Sequence, residues 1–319
     1  MSRKSPEEKL EHKKQLWTER TAQILGITEE ESESLLLSER RQSVRVNTLM
    51  GEKDQILGEM VRLGWKGDEF LWMENGYSID AGREHLRDSE LVKNGKIYIQ
   101  NAASWLAVIA LDPKPEEKIL DVCAAPGGKT SHVAELTDNK ANITANDNSR
   151  QRLMRLRANC ERLGAKIDRY TLYDGKNIVR KLDCETYDKI LLDAPCSGEG
   201  MMSLDRNKDF NSWSVAHIKR MQSLQKQIIR QAWQLLEPGG ILVYSTCTMA
   251  PEENEAVIDY ALKNLDDVKL LPIDIDLENR IEALESWNGK RFNEKIKGCL
   301  RLKPSKGIHA FFVAKLQKQ

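Results

Sequence analysis

The spacing of apolar and polar positions changes partway along the chain. Residues 6–37 read as charged helices, SVRVNTL at 43–49 alternates as a half-buried strand does, and EKDQILGEMVRLG at 52–64 has helical spacing with Gly64 as its stop. Further short strands follow, so residues 1–95 are expected to form a small α+β unit with helices at its start. From residue 119 the rhythm is regular. KILDVCAAPGG is an apolar run ending in a glycine turn, ITANDNS is a second ending at Asp147, and IDRYTLYDG, YDKILLDAP and GGILVYSTC repeat the pattern. Between them lie RQRLMRLRANCERLG, an amphipathic helix that Ser149 can cap and Gly164 can stop, and a long helix at about 213–236. Strands alternating with helices predict an α/β fold: a Rossmann-like parallel sheet with helices on both faces, here at residues 96–319.

In such sheets ligands sit beyond the carboxyl ends of the strands. Asp147, Asp174, Asp193, Cys196 and Cys247 all fall at or just after predicted strand ends. The loop CAAPGGKT at 123–130 is a phosphate-loop look-alike, because GxxxxGK[ST] requires glycine where Cys123 stands, and GxGxxG is absent. What remains is the turn of an adenosyl-cofactor site, whose small residues admit a ligand to the backbone. Asp147, nineteen residues past Gly128, stands at a spacing suited to ribose hydroxyls. The plainer alternative is a helix-packing turn followed by a surface acid. Asp174 reads equally as a contact for an adenine amino group or as an ordinary Asp-Gly turn acid.

The six cysteines show neither CxxC pairing nor zinc-ligand spacing, which points to free thiols in a reducing compartment and to no metal. Cys160 and Cys184 read as small core hydrophobes. Cys196 in LLDAPCSGEG and Cys247 in VYSTCTMAPEENE instead sit among Pro, Ser, Thr and Gly, where two thiols near a bound cofactor suggest covalent chemistry.

Composition refines this picture. A length of 319 residues suits two domains, and 40% hydrophobic with 31% charged residues describes a globular chain. The 49 basic and 49 acidic residues cancel, which at first argues against a nucleic-acid partner. Regional counts differ: ten basic against three acidic residues at 149–181, nine against one at 287–319, and three against eleven at 251–286. The basic segments are expected to meet a polyanion, with the acids of 251–286 turned away from it, although solvated helix faces account for the basic segments equally well. No stretch approaches the roughly 20 apolar residues of a membrane span, and the N-terminus lacks a signal core, so a cytoplasmic protein is expected.

The stretches RVNTL near Arg45, ILDVCAAPGGKTSH, ANDNS with Arg152, LLDAPCSGEG and YSTCTMAPEENE resemble the Fmu/Sun family of RNA cytosine-carbon-5 methyltransferases, from about residue 43 to the end. The resemblance implies a methyltransferase domain at 96–319 and an RRM-like RNA-binding unit at 1–95. It implies S-adenosylmethionine held by Cys123, Ala124, Ala125, Pro126, Gly127, Gly128 and Lys129, with Asp147 on the ribose and Asp174 and Asp193 completing the pocket. Arg152 is either part of that pocket or a helix-surface cation. By the same resemblance Cys247 attacks the base and Cys196 assists its release; the residues alone do not rank the two thiols.

Attack by a thiolate at carbon 6 makes carbon 5 nucleophilic enough to take a methyl group. Charge on the ring then needs a proton or donor, a role for Asp193 if protonated, with Lys129 supplying positive charge. Removal of the carbon 5 proton frees the enzyme, with Cys196 as base or its helper, and the target base must be unpaired or flipped. The implied partner is RNA, tRNA first and rRNA next, and the chain is expected to act as a monomer. Met50 stands where the family has lysine, and Ile308, His309 and Ala310 precede Phe311 where it has an acid and glycine; His309 is expected on a strand surface. The rival class is a non-catalytic RNA-binding or assembly factor with the same fold.

Overall fold

The computed structural model describes residues 5–38, 42–182, 186–305 and 307–319. Helices α1 (Pro6–Leu25) and α2 (Glu29–Leu37) start at capping boxes, Ser5 with Glu8 and Thr28 with Glu31. Gly26, at φ 64, closes α1. The apolar faces of these helices do not pack on the strands that follow. Trp17 and Leu36 join Phe210, Trp213 and Met249 in one cluster, with the Trp17 ring edge-on to Phe210 at 5.4 Å. Arg20 pairs with Glu252 at 2.9 Å. The first helices therefore cover loops of the larger sheet, although chain order grouped them with the smaller one.

In the small sheet β1 (Ser43–Val46) is central. Helix α3 (Lys53–Arg62), β2 (Gly76–Ser78), α4 (Arg83–Asp88), α5 (Glu90–Lys93) and β3 (Ile97–Gln100) complete the unit. Both outer strands run antiparallel to β1, in the order β2-β1-β3. The third strand thus lies beyond residue 95, because Val44 and Val46 register on Ile99 and Ile97.

The larger sheet begins after α6 (Trp105–Leu111). Its units are β4 (Lys118–Asp121), α7 (Gly128–Leu136), β5 (Asn142–Asn146), α8 (Arg150–Arg162), β6 (Arg169–Thr171), α9 (Ile178–Lys181), β7 (Tyr187–Asp193), α10 (Val215–Gln234) and β8 (Leu236–Thr246). These five strands are parallel in the order β8-β7-β4-β5-β6. Beyond them come α11 (Glu255–Asn264), β9 (Val268–Leu271), β10 (Arg280–Ile281), β11 (Ser286–Trp287), β12 (Lys290–Arg291), β13 (Leu300–Leu302) and β14 (Phe311–Lys318). Here the expectation of a parallel sheet is corrected. Strand β14 runs antiparallel to β8, and β13 and β9 share its outer edge, both antiparallel. An antiparallel addition needs no crossover helix, which lets short strands finish the edge. Apolar side chains fill both faces, Ile119, Val133 and Leu156 on one, Ile190, Trp233 and Leu242 on the other. No helix among the described residues is long and apolar enough to cross a membrane.

The RVNTL stretch clamps the two sheets together. Arg45 is fully buried, pairs with Glu135 on α7, and donates to Ser131 Oγ at 3.0 Å. Thr48 N–H donates to Glu135 at 3.1 Å, and Asn47 Nδ2 donates to the Leu163 carbonyl beyond α8 at 2.8 Å. Met50 fills the space above Gly164, where a Cβ would lie 2.4 Å from its sulfur. Burial pulls the Arg45 guanidinium down to about 9, so it is still charged at neutral pH. Breaking a buried pair by removing one partner costs about 3–5 kcal/mol, because the other charge is left uncompensated. Arg45→Met should lose stability on that scale in urea denaturation, and Arg45→Met with Glu135→Met should recover most of it. Equal losses in the two variants would rule out the pair as the clamp.

Candidate active site

The loops leaving the carboxyl ends of β4, β5 and β6 are tied by one amide. Asn146 donates to the carbonyls of Val122 and Tyr173 at 2.9 and 3.0 Å, and accepts from Thr171 Oγ1 and Tyr173 N–H at 2.8 and 2.9 Å. The glycine loop is thereby held against the ends of its neighbours, with Ala124 N–H on the Asn146 carbonyl at 2.8 Å and Gly127 at φ 104 turning the chain into α7. Asn146 stood inside the ANDNS stretch, but the sequence reading singled out only Asp147. Asp147 is buried and accepts Ser149 N–H at 2.9 Å. Arg152 lies 3.2 Å from its other oxygen and donates to the Ala125 carbonyl at 2.9 Å. Arg152 therefore bridges the acid and the glycine loop.

One cleft holds Asp147, Arg152 and Asp174 toward one end and Asp193, Cys196 and Cys247 toward the other. Asp174 caps its turn by accepting Lys176 N–H at 3.0 Å, and it also lines this cleft. Ala124, Pro126, Gly128 and Lys129 line an adjoining recess whose floor is Asp121, which the sequence reading passed over as part of a strand. Asp121 is 2% exposed, with Thr130 on one oxygen at 2.7 Å and, among the described residues, no hydrogen-bond partner on the other. Burial pushes its carboxyl up to about 7 against the pull of the Thr130 hydroxyl. Tyr98 and Gln100 of β3 close the recess from the small sheet. A Cβ on Gly128 would stand 2.7 Å from Gln100 Oε1 and 2.8 Å from the Tyr98 ring, so any side chain there would have to push both aside.

At the other end of the cleft the Cys196 and Cys247 sulfurs are 3.2 Å apart. Lys129 Nζ donates to Asp193 Oδ2 at 2.7 Å, and Ser245 Oγ donates to Asp193 Oδ1 at 2.8 Å. Burial alone would lower the Lys129 ammonium, but Asp193, with smaller contributions from Cys247 and Asp121, holds the group above its ordinary value. The ammonium also lies 5.5 Å from the centre of the Phe311 ring. The hydrogen bond to Cys247, with burial, pushes the Cys196 thiol well up, and the two sulfurs share a single hydrogen bond. Burial likewise raises Cys123, Cys160 and Cys299. Cys160 lies in the core, and Cys184 lies outside the described residues.

The acids of residues 251–286 do not all turn outward as expected. Glu252, Glu253, Glu255 and Asp259 are buried. Glu252 meets Arg20, Glu255 meets Arg301 at 2.7 Å, and Glu253 accepts Ser197 N–H at 2.9 Å, next to Cys196. The run is negative because its first turns form the inner support of the thiol loop, while Asp274, Asp276 and Glu282 are exposed. His309 lines a separate groove with Arg83, Asn101 and Arg206, its N–H on Asn101 Oδ1 at 3.0 Å. Among the described residues no group of three His, Cys, Asp or Glu side chains is arranged to hold a metal ion.

A family model described as 16S rRNA methyltransferase RsmB/F matches residues 108–317. The chain belongs to the RsmB/F methyltransferase family. Among its relatives, the tRNA (cytosine(49)-C(5))-methyltransferase of Pyrococcus abyssi is 36% identical over 297 residues, 91% of this chain and 92% of that protein. Ribosomal RNA small subunit methyltransferase F of Aeromonas salmonicida is 38% identical over 243 residues, 74% of this chain and 51% of its own length. The chain thus spans about half the length of that RsmB/F relative. A crystal structure of a methyltransferase homolog from Pyrococcus horikoshii superposes with a TM-score of 0.77 at 33% identity, covering 95% of this chain and 99% of that one.

Cys160 and Cys299 are buried while Cys196 and Cys247 line the cleft, so limiting iodoacetamide should alkylate the cleft pair ahead of Cys160 and Cys299. Peptide mass spectrometry reads the order. Alkylation of Cys160 or Cys299 first would show that the cleft pair is not the accessible one.

Proposed function

We propose that this RsmB/F member methylates carbon 5 of a cytosine in tRNA, drawing the methyl group from S-adenosylmethionine while Cys247 is bonded to the base. The observation that carries this reading is the sulfur pair, 3.2 Å apart beside Lys129 and Asp193, at one end of a cleft whose other end holds Asp147. The residues suit that cofactor. Asp147 and Asp174 offer carboxylates to ribose and adenine, the small residues of the glycine loop leave the backbone open, and the unpartnered oxygen of Asp121 suits an ammonium group. When bound, S-adenosylmethionine supplies an electrophilic methyl group.

The chain's own residues do the rest. The Cys247 thiolate adds to carbon 6, and charge moving onto the ring is met by the Lys129 ammonium. Both Asp193 oxygens accept hydrogen bonds, so Asp193 orients Lys129 and the proton for the base resides on the lysine. Once carbon 5 carries its methyl group, its proton passes to solvent, the bonding pair restores the carbon 5–carbon 6 double bond, and Cys247 leaves as thiolate. Cys196, whose sulfur lies 3.2 Å from that of Cys247, hydrogen-bonds the departing sulfur and so acts as a helper in release.

Near-complete mutual coverage with the tRNA enzyme of Pyrococcus abyssi supports tRNA as the substrate. The ribosomal description of the family favours rRNA as the second reading. Residues 1–95, with the small sheet extended through Gln100, are the proposed RNA-binding part. Bisulfite sequencing of tRNA and rRNA with and without the gene decides between them: loss of 5-methylcytosine from tRNA is expected, loss from rRNA supports the second reading, and loss from neither overturns both. Cys247→Ala should lower methyl transfer by more than about a thousandfold. Cys196→Ala should accumulate a protein–RNA adduct that survives denaturing gels. Turnover in the first variant, or normal turnover without adduct in the second, would remove these roles.

A further inference from the structure

Both neighbours of Cys196 hang from one side chain that touches no reacting atom. Ser197 donates its N–H to Glu253 Oε2 at 2.9 Å and its hydroxyl to Glu253 Oε1. Gln225 of α10 donates one Nε2 to Glu253 Oε2 at 2.8 Å and to the Pro195 carbonyl at 2.9 Å. Glu253 is fully buried, and its own carbonyl accepts the Tyr244 hydroxyl at 2.6 Å. A buried carboxylate that faces hydrogen-bond donors and, among the described residues, no cation is expensive to keep, and its donors are fixed in return. Burial first, and then the neighbouring Glu199, push it up to about 7, while Ser197 and Gln225 oppose the shift.

We propose that Glu253 is the positioning residue for Cys196: by gripping Ser197 directly and Pro195 through Gln225, it holds the Cys196 thiol against the Cys247 sulfur and sets the rate at which the methylated base is released. This rests on the reading in which Cys247 attacks and Cys196 assists departure. The bond that breaks is the one between carbon 6 and the Cys247 sulfur, and Glu253 takes no proton or electron pair from it. Its effect is on where the Cys196 S–H stands.

The test uses the full chain, S-adenosylmethionine and unfractionated tRNA from cells lacking the gene, with Cys196→Ala as the reference. Methyl groups transferred in a single turnover are read separately from steady-state turnover and from adduct on denaturing gels. Glu253→Ala should retain most of the single-turnover signal while steady-state turnover falls about 10- to 100-fold and adduct accumulates. Glu253→Gln keeps an oxygen for Ser197 N–H and should restore much of the release. Gln225→Met, which removes the Pro195 arm and one donor to Glu253 but leaves both Ser197 bonds, should shift the same partition even if Glu253→Ala does not fold. Adduct in Cys196→Ala with none in the Glu253 and Gln225 variants overturns the role of Glu253 alone, as does an equal fall in both phases. Absence of adduct in Cys196→Ala overturns the release reading and this proposal with it.

Discussion

The register of β7 on β8 is the constraint on which the site depends. The two strands run parallel with Asp193 opposite Ser245, so the chains leaving them start level, and Cys196 and Cys247 follow within a few residues. Ala194 N–H on the Ser245 carbonyl and Gly200 N–H on the Cys247 carbonyl, both 2.9 Å, carry the pairing past the strands into the loops. Gly200 has no room for a side chain, since a Cβ would lie 2.5 Å from the Ala310 carbonyl and 2.7 Å from that of Cys247. A one-residue slip would turn every side chain to the opposite face and separate the sulfurs. The antiparallel strand β14, with Phe312 opposite Thr246, braces β8 from its other side and delivers Phe311 to Lys129.

Charge in this chain serves assembly as much as recognition. Arg45 with Glu135, Arg20 with Glu252, and Arg301 with Glu255 are buried pairs joining segments far apart in sequence. Each cation is arginine, whose planar guanidinium bonds a carboxylate and a second acceptor at once, as Arg301 does with Glu255 and the Met249 carbonyl. The equality of acids and bases therefore says little about an RNA partner. Some of the charge that regional counting assigned to surfaces, Arg301 among it, lies inside the molecule.

The α/β class, the strand ends, the glycine loop and the two thiols were legible in the sequence because each follows from local pattern: apolar runs, turn residues and cap residues a few positions apart. Arg152 was readable only as a choice between pocket and surface, since its contact with the Ala125 carbonyl spans 27 residues. Asp121 looked like part of a strand, and only the fold shows that its second oxygen lacks a partner. Glu253 sat in a motif beside other acids, with nothing local to mark it as the one reaching Ser197, 56 residues away.

By itself, then, the sequence determined which residue types end the strands and which chemistry they can perform, since side-chain periodicity and turn preference act over a few residues. Only the tertiary structure decided that the sheet closes with antiparallel strands, that α1 and α2 cover the thiol loops, and that RVNTL is a clamp between two sheets. Those outcomes depend on which buried charges and apolar faces find partners across the whole chain. That pairing is settled by packing and desolvation, for which no short stretch of sequence holds both halves.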